Sequence, residues 1–291
     1  MEGTIEGRLP NFLYIGPDKA GSSWLHEVLI RHPQVFLSEA KDLYFFDRYY
    51  SRGLAWYAEQ FRKASPAHQV VGEVCQDYLF SAEAPGRIHQ SLGAPRMMVT
   101  LRDPVDRAFS SYLYMHKHGE QPGTFREALA GRPELLEHGR YASSLRRFLE
   151  FFDPDSIYVA VFDDLVADPQ AFIDALTTWL GLEPMRIDPD LLEARHPAAK
   201  ARFVPLARLV RQLADWARRH DAAELVGRVK RAKLVQNMLY TSFGEARPQL
   251  SAADRDYVRA ELATEIADVE GLFGLDLRGR WGWPHERNGG A

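Results

Sequence analysis

The chain has 291 residues, of which 46% are hydrophobic and 26% charged, a balance typical of a globular protein that buries a core. The formal net charge of −4 is too small to hold a long polyanion by bulk electrostatics, so any anion site must be local and no nucleic-acid partner is expected. The single cysteine, Cys75, excludes an intramolecular disulfide framework and a multi-cysteine metal cluster.

The N-terminus carries no secretion signal, because no basic segment is followed there by an apolar one. The sequence also has no run of 18 apolar residues, so we expect no membrane association and, with one cysteine, a cytoplasmic location. Ile-Glu-Gly-Arg at 5–8 is the pattern of an engineered protease site. We therefore interpret 1–8 as an expression-tag remnant and 9–291 as one domain.

Five short apolar runs predict β-strands, and helical stretches separate them. The runs are Phe12–Ile15, Val35–Leu37, Val70–Gly72, Met97–Leu101 and Ile157–Phe162. This alternation is typical of a three-layer α/β/α fold with a central, mostly parallel sheet of about five strands.

Apolar residues at helical spacing predict further helices over 205–220 and from Ser251 to Phe273, so the C-terminal third is expected to be mainly helical. The segment 118–140 mixes Gly, Pro and charge. It is predicted as a connection, either over the functional site or on the ordinary surface.

The segment Gly16–Ser23 has two glycines at P-loop separation, between a predicted strand and a helix that Ser22 or Ser23 could cap. In a nucleotide triphosphatase a lysine follows the second glycine, whereas here Ser22 does and Lys19 lies inside the loop. Such a P-loop-like turn can cradle phosphate through backbone N–H groups. Lys19 could then neutralise charge on a leaving oxygen. The alternative is a glycine turn with a solvated lysine.

A second anion site is predicted where the fourth strand ends. Arg102 follows that strand, Asp103 is the expected N-cap, and Ser110 lies about two turns into the next helix. Arg102 and Ser110 could therefore hold a second phosphate in the crevice where open α/β sheets bind ligands. The alternative is a surface ion pair from Arg102 to Asp103 or Asp106.

Together these segments resemble the sulfotransferases that use 3′-phosphoadenosine 5′-phosphosulfate (PAPS). Gly16–Leu25 is similar to their 5′-phosphosulfate loop and Arg102–Ser110 to their 3′-phosphate element. The resemblance is closer still to heparan-type sulfotransferases and their bacterial relatives. That match rests on Tyr44–Asp47, Tyr49-Tyr50, Gly53-Leu54, Trp56-Tyr57, Gly72-Glu73, Phe162–Leu165, Lys200–Arg202, Leu275–Leu277 and Trp281.

The resemblance implies a sulfotransferase that moves a sulfuryl group in line from PAPS to a hydroxyl or amine of a small molecule or carbohydrate, leaving 3′,5′-ADP. We expect no metal, because no His/Cys/Asp/Glu set has ligand spacing. The implied cofactor contacts are Lys19, Ala20, Gly21, Ser22, Ser23, Trp24, Arg102, Ser110, Lys200 and Arg202.

The resemblance also implies a carboxylate base that works with Lys19. Asp42 occupies the position where the relatives have glutamate; Glu39 is a nearby competitor, and a turn cap beside Lys41 is the structural alternative. Val74 stands where heparan-type enzymes have a lysine, which argues against a highly sulfated polysaccharide acceptor. The candidate acceptor contacts are Glu73, Tyr78 and His116, and His116 could equally be a solvated helix-end histidine.

Two other functions stay open at this point. A P-loop kinase acting on a small molecule would share the fold, although the missing lysine argues against it. A non-catalytic nucleotide-binding relative would share both loops. The sequence identifies neither the acceptor nor the oligomeric state.

Overall fold

Five parallel strands form the central sheet, in the order β2-β3-β1-β4-β5. The computed structural model describes residues 8–117, 120, 123–192, 199–201, 240–242 and 247–284. The strands are β1 (Phe12–Gly16), β2 (Val35–Leu37), β3 (Val70–Val74), β4 (Arg96–Leu101) and β5 (Ile157–Val161). All five lie where the apolar runs predict them, and the three-layer α/β/α fold is confirmed.

Helices cover both faces of the sheet. They are α1 (Ser22–Leu29), α2 (Gly53–Glu59), α3 (Ala84–Leu92), α4 (Pro104–Lys117), α5 (Phe125–Gly131), α6 (Glu134–Glu137), α7 (Tyr141–Leu149), α8 (Phe162–Ala167), α9 (Pro169–Leu180), α10 (Pro189–Leu192), α11 (Ala252–Phe273) and α12 (Leu277–Trp281). Two short antiparallel strands, β6 (Ala199–Ala201) and β7 (Tyr240–Ser242), form a separate ribbon. No helix in the described ranges is long and apolar enough to span a bilayer.

The central strand divides the core into two halves. Leu13 and Ile15 pack in one apolar cluster, while Phe12 and Tyr14 pack in the other. Successive side chains of a strand point to opposite faces, so one short run supplies both clusters. Because helices cover both faces, every residue of β1 is buried.

The long helix α11 closes one side of the molecule. Ser251 is its N-cap and accepts a hydrogen bond from the Asp254 N–H at 3.1 Å. Its apolar stripe, which includes Val258 and Leu262, is buried, and the helix packs against α4 and α7. The predicted helix from Ser251 to Phe273 therefore forms, whereas the one predicted over 205–220 lies outside the described residues.

Candidate active site

The loop between β1 and α1 is held in shape by two glycines. Gly16 has φ +134°, and a Cβ there would lie 2.6 Å from the Gln76 carbonyl oxygen. Gly21 has φ +89°, and its Cβ would lie 2.6 Å from Leu165 Cδ2. Both positions need a left-handed backbone without a side chain, which only glycine supplies at low cost. The loop thus runs close against β3 and α8.

The start of α1 differs from the sequence prediction. Gly21 is the N-cap and no side chain caps the helix, so the expectation that Ser22 or Ser23 would cap it is wrong. The left-handed turn at Gly21 begins the helix one residue earlier, which makes the serines its first two residues. Ser22 is buried and Ser23 is exposed. With no capping side chain, the first N–H groups of α1 are available to an anion.

The remaining loop residues surround this helix start. Lys19 has φ +61°, and its Nζ lies 3.9 Å from the centroid of the Tyr114 ring, which is 45% exposed. Ala20 is buried. The Trp24 indole is also buried and donates to the Leu191 carbonyl at 2.9 Å. The Lys19 side chain therefore extends toward the solvent-exposed side of the loop, where Tyr114 lies.

Beneath the loop lies a buried charge network that the sequence does not reveal. The Asp18 carboxylate accepts hydrogen bonds from Arg107 at 2.9 Å and from Ser111 at 2.6 Å, and His138 Nδ1 lies 3.4 Å from it. Burial alone would raise the pKa of Asp18, but Arg107 and His138 outweigh it and hold that pKa below its usual range. Arg107 is wholly buried and also donates to the Leu135 carbonyl. The network fixes the loop to α4.

The second predicted anion site lies beside the first. Arg102 Nη1 donates to the Lys19 carbonyl at 2.6 Å, and its guanidinium lies 4.7 Å from the Phe162 ring centroid. Asp103 instead accepts from the Val105 N–H at 2.8 Å and the Trp283 indole at 3.1 Å. Within the described part of the chain Arg102 has no ion pair, so the alternative of a surface pair with an aspartate is wrong.

A cavity of about 220 Å³ opens at this arginine. We call it the Arg102 cavity; its lining residues are Arg102, Asp103, Asp106, Phe162, Asp163, Val166 and Ala167. Burial lowers the pKa of Arg102, although that group stays charged at neutral pH. Ser110 is half-buried, further along α4, and does not line this cavity.

The late-chain contacts are only partly described. Lys200 lies in β6, where it pairs with Thr241, and β6 packs beside α4. Its side chain, and all of Arg202, lie outside the described residues.

Asp42 lies where β3 ends. Its N–H donates to the Val74 carbonyl at 2.9 Å, and its carboxylate accepts from the Gln76 N–H at 3.2 Å and from Lys41 Nζ at 2.9 Å. The side chain is 11% exposed. Since β3 and β1 are neighbours, the carboxylate stands at the same sheet edge as the glycine loop. By contrast, the competitor Glu39 pairs with Lys63, whose side chain is 49% exposed.

The predicted acceptor contacts Glu73 and Tyr78 lie in the core. Glu73 accepts from the Tyr57 hydroxyl at 2.8 Å, the Tyr78 hydroxyl at 3.0 Å and the Leu43 N–H at 3.0 Å. Burial raises the pKa of Glu73 to about 8, against the effect of these donors. Both side chains are fully buried and have no surface for an acceptor, so they support the loop that carries Asp42.

His116, the third predicted acceptor contact, lies near the end of α4. It is half-buried and packs edge-on against Tyr112 with centroids 5.0 Å apart. Burial lowers the pKa of His116. Among the described residues, no group of three or more His, Cys, Asp or Glu could hold a metal.

Asp77 also follows β3, near Asp42, and no sequence motif singled it out. It pairs with Arg48, which stacks over the Tyr44 ring at 4.0 Å. Burial is the main reason that the pKa of Asp77 rises to about 6, and the nearby Asp42 charge adds to it. Its position, four residues after Glu73 and one before Tyr78, is the signal that could have identified it.

Comparison with known proteins gives a consistent assignment. The sequence matches the family model described as "Sulfotransferase domain" over residues 9–195. It is 32% identical over 197 residues to mouse heparan sulfate glucosamine 3-O-sulfotransferase 3B1, covering 65% of this chain and 50% of the relative. It is 31% identical over 199 residues to human bifunctional heparan sulfate N-deacetylase/N-sulfotransferase 3, covering 61% of this chain and 23% of the relative. The chain thus spans half or less of the length of these two relatives.

The fold has a solved counterpart. A crystal structure of a sulfotransferase from Alicyclobacillus acidocaldarius superposes with a TM-score of 0.68 at 20% identity, covering 94% of this chain and 98% of that one. The structural match supports the fold, while the family model covers most of the chain in sequence. The chain therefore belongs to the sulfotransferase domain family.

Proposed function

We propose that this chain transfers a sulfuryl group from PAPS to a hydroxyl or amine of a small molecule or carbohydrate. The observation that carries the proposal is that two features suited to an anion lie at the ends of adjacent strands. The uncapped start of α1 follows β1, the Arg102 cavity follows β4, and Arg102 donates a hydrogen bond to the Lys19 carbonyl of the loop. Two phosphates of one nucleotide can be held there at once.

The residues present fit this donor. The first N–H groups of α1 would hold the 5′-phosphate, and Arg102 would hold the 3′-phosphate. Ser110 and Lys200 are assigned to the 3′-phosphate by the sequence resemblance alone. PAPS, when bound, supplies a sulfuryl group on a phosphosulfate linkage whose cleavage leaves 3′,5′-ADP.

Two side chains act on the transfer itself. Asp42 accepts the proton of the attacking hydroxyl or amine, and the Lys41 ammonium, 2.9 Å from its carboxylate, directs that carboxylate. The Lys19 side chain moves from the Tyr114 ring to the oxygen of the departing 5′-phosphate and stabilises the negative charge that develops there. Glu73 and Tyr78 hold the Asp42 loop in place.

The experiment that tests this proposal compares 3′,5′-ADP with ATP plus Mg²⁺ by isothermal titration calorimetry. We expect strong preference for the bisphosphate, since Ser22 replaces the lysine that a kinase uses on the γ-phosphate. Preference for ATP plus Mg²⁺ would instead support the small-molecule kinase. Tight 3′,5′-ADP binding without sulfation of any acceptor or hydrolysis of PAPS would support the non-catalytic relative.

A variant makes the test specific to the 3′-phosphate. Arg102→Ala should weaken 3′,5′-ADP by about 10- to 100-fold, because a charge-assisted hydrogen bond is lost, and should leave 5′-AMP binding nearly unchanged. Arg62→Ala removes an exposed arginine paired with Glu59 and serves as the matched control. Equal losses for both nucleotides in Arg102→Ala would contradict the assigned role.

A further inference from the structure

One face of α4 lies against the glycine loop. Arg107, Ser111 and Tyr114 follow one another at intervals of four and three residues, so they lie on the same side of this helix. Arg107 and Ser111 donate hydrogen bonds to Asp18, and the Lys19 Nζ lies 3.9 Å from the centroid of the Tyr114 ring. Two consecutive loop residues therefore contact the same face of α4.

The Asp18 carboxylate is at the centre of this contact. Its two oxygens accept from Arg107 at 2.9 Å and from Ser111 at 2.6 Å, and 15% of its side chain is exposed. The Arg107 side chain is 1% exposed, and a buried guanidinium needs a counter-ion, which Asp18 supplies. Moving Asp18 away would leave that charge buried without compensation, so the contact between the loop and α4 is costly to break.

A third partner of Asp18 comes from the segment before α7. His138 Nδ1 lies 3.4 Å from the carboxylate, and the His138 ring stacks on Phe80 with centroids 3.8 Å apart. Phe80 ends the 3-10 turn that follows β3. We call Asp18, Arg107, Ser111 and His138 the Asp18 network. Through His138 and Arg107, this network joins the loop after β1 to segments that follow both of its neighbouring strands, β3 and β4.

Lys19 directly follows Asp18, and its backbone is held on the other side as well. The Lys19 carbonyl accepts a hydrogen bond from Arg102 at 2.6 Å, and the residue has φ +61°. A lysine side chain has a flexible four-carbon stem, so the region that its Nζ can reach depends on where its backbone is held. Asp18 and Arg102 hold the chain on either side of the Lys19 Cα.

We propose that Asp18 is a positioning residue, which holds Lys19 where its Nζ can reach the departing 5′-phosphate. The inference rests on the proposed function, which assigns that role to Lys19. Asp18 itself contacts neither donor nor acceptor in this arrangement, because Arg107 and Ser111 bind both of its carboxylate oxygens. Its effect on the reaction therefore falls on kcat and depends on Lys19.

The test measures kcat for the release of 3′,5′-ADP from saturating PAPS, with water as the receiving molecule, and measures 3′,5′-ADP binding by calorimetry. Asp18→Asn keeps the shape of the side chain and removes its charge. We expect kcat to fall roughly 10- to 100-fold, because a small displacement of a catalytic group is costly. The affinity for 3′,5′-ADP should change by less than about threefold, since the N–H groups of α1 remain.

Asp268→Asn is the matched control. It removes the carboxylate that pairs with Arg146 at 2.8 Å, an ion pair of nearly the same length as that of Asp18 with Arg107. Asp268 lies in α11 and is 36% exposed, away from the glycine loop. This variant should leave both kcat and the affinity for 3′,5′-ADP at their wild-type values.

A double-mutant cycle shows whether Asp18 acts through Lys19. In the Lys19→Ala background, Asp18→Asn should lower kcat by less than about twofold, because the group that Asp18 positions is gone. Ser111→Ala leaves the ion pair of Asp18 with Arg107 in place and should lower kcat to a smaller extent than Asp18→Asn. If Asp18→Asn does not fold, the kcat of Ser111→Ala decides the case.

Three results would overturn the inference: an unchanged kcat, equal losses of kcat and of 3′,5′-ADP affinity, or the same loss of kcat in both backgrounds. A wild type that binds 3′,5′-ADP but releases none from PAPS would contradict the proposed function itself. That failure is seen before any variant is made, so it is distinct from a failure of the role assigned to Asp18.

Discussion

Lys19 lies inside the glycine loop between β1 and α1, with its backbone in the left-handed region and its Nζ over the exposed Tyr114 ring. We expect Lys19→Ala to lower kcat about 10²- to 10³-fold, because a cation at the departing oxygen acts mainly in the transition state. Binding of 3′,5′-ADP should weaken less than tenfold, since the helix N-terminus remains. Steady-state kinetics with calorimetry measures both quantities.

The control for this variant is Lys63→Ala, which removes a surface lysine paired with Glu39. Lys63→Ala should leave kcat and the affinity for 3′,5′-ADP near their wild-type values. If Lys19→Ala instead lowers kcat and 3′,5′-ADP affinity by the same factor, the lysine only anchors the nucleotide.

Asp42 and Glu39 are three residues apart but lie in different surroundings. Asp42 is nearly buried at the sheet edge, while Glu39 is bound to an exposed lysine. We expect Asp42→Asn to lower kcat about 10²- to 10⁴-fold and Glu39→Gln to change it little, because only a base at the transfer site takes part in proton removal. If Glu39→Gln lowers kcat more than Asp42→Asn does in the same assay, Glu39 is the base and Asp42 is not.

The sequence predicts part of the site at the level of single residues. Lys19, Asp42 and Arg102 follow strands in motifs with local spacing, and the structure places all three at one sheet edge. The Asp18–Arg107 pair joins residues 89 positions apart, and no local pattern indicates that these two meet.

Gly21, in the loop after β1, lies so close to Leu165 of α8 that a larger residue at position 21 would collide with it. Gly21→Ala should lower the free energy of unfolding by about 1–3 kcal/mol more than Gly181→Ala, because its Cβ would overlap Leu165. Gly181 has a similar φ of +70° with nothing within 4 Å, so it isolates the backbone cost. Urea denaturation of the two variants measures the difference, and equal losses would contradict the steric account.

Local signals explain which elements the sequence predicts. Short apolar runs locate all five strands, and Ser251 locates the start of α11. The α1 cap is wrong because a left-handed glycine begins the helix before the serines. Within 118–140, predicted as a connection, α5 forms behind a capping box of Thr124 and Glu127.

For the molecule as a whole, the buried Glu73 couples stability to pH. Burial raises the pKa of Glu73 to about 8 in the folded state from its ordinary value of 4.5, so the native state holds one more proton than the unfolded state between these pH values. The contribution of Glu73 to the free energy of unfolding is therefore fully present below pH 4.5 and is lost as the pH rises through 8. Between these pH values the free energy of unfolding falls by up to about 1.4 kcal/mol per pH unit.

The variant Glu73→Gln checks this assignment, because glutamine resembles the neutral acid. We expect its free energy of unfolding to be less dependent on pH between 5 and 8 than that of the wild type, as measured by urea denaturation at several pH values. Glu39→Gln, at the surface, should leave the dependence unchanged. Parallel curves for wild type and Glu73→Gln would mean that Glu73 is ionised in the folded protein.

The packing of α11 on α4 and α7 sets the order in which the chain can finish folding. On the ribosome, α11 emerges roughly a hundred residues after α7, a delay of about 5–20 s at ordinary rates of translation. During that delay the surface that Val258 and Leu262 later cover stays in contact with water. A nascent chain at this stage lacks the helix that covers this apolar flank, and exposed apolar surface of this kind makes incomplete chains prone to aggregate.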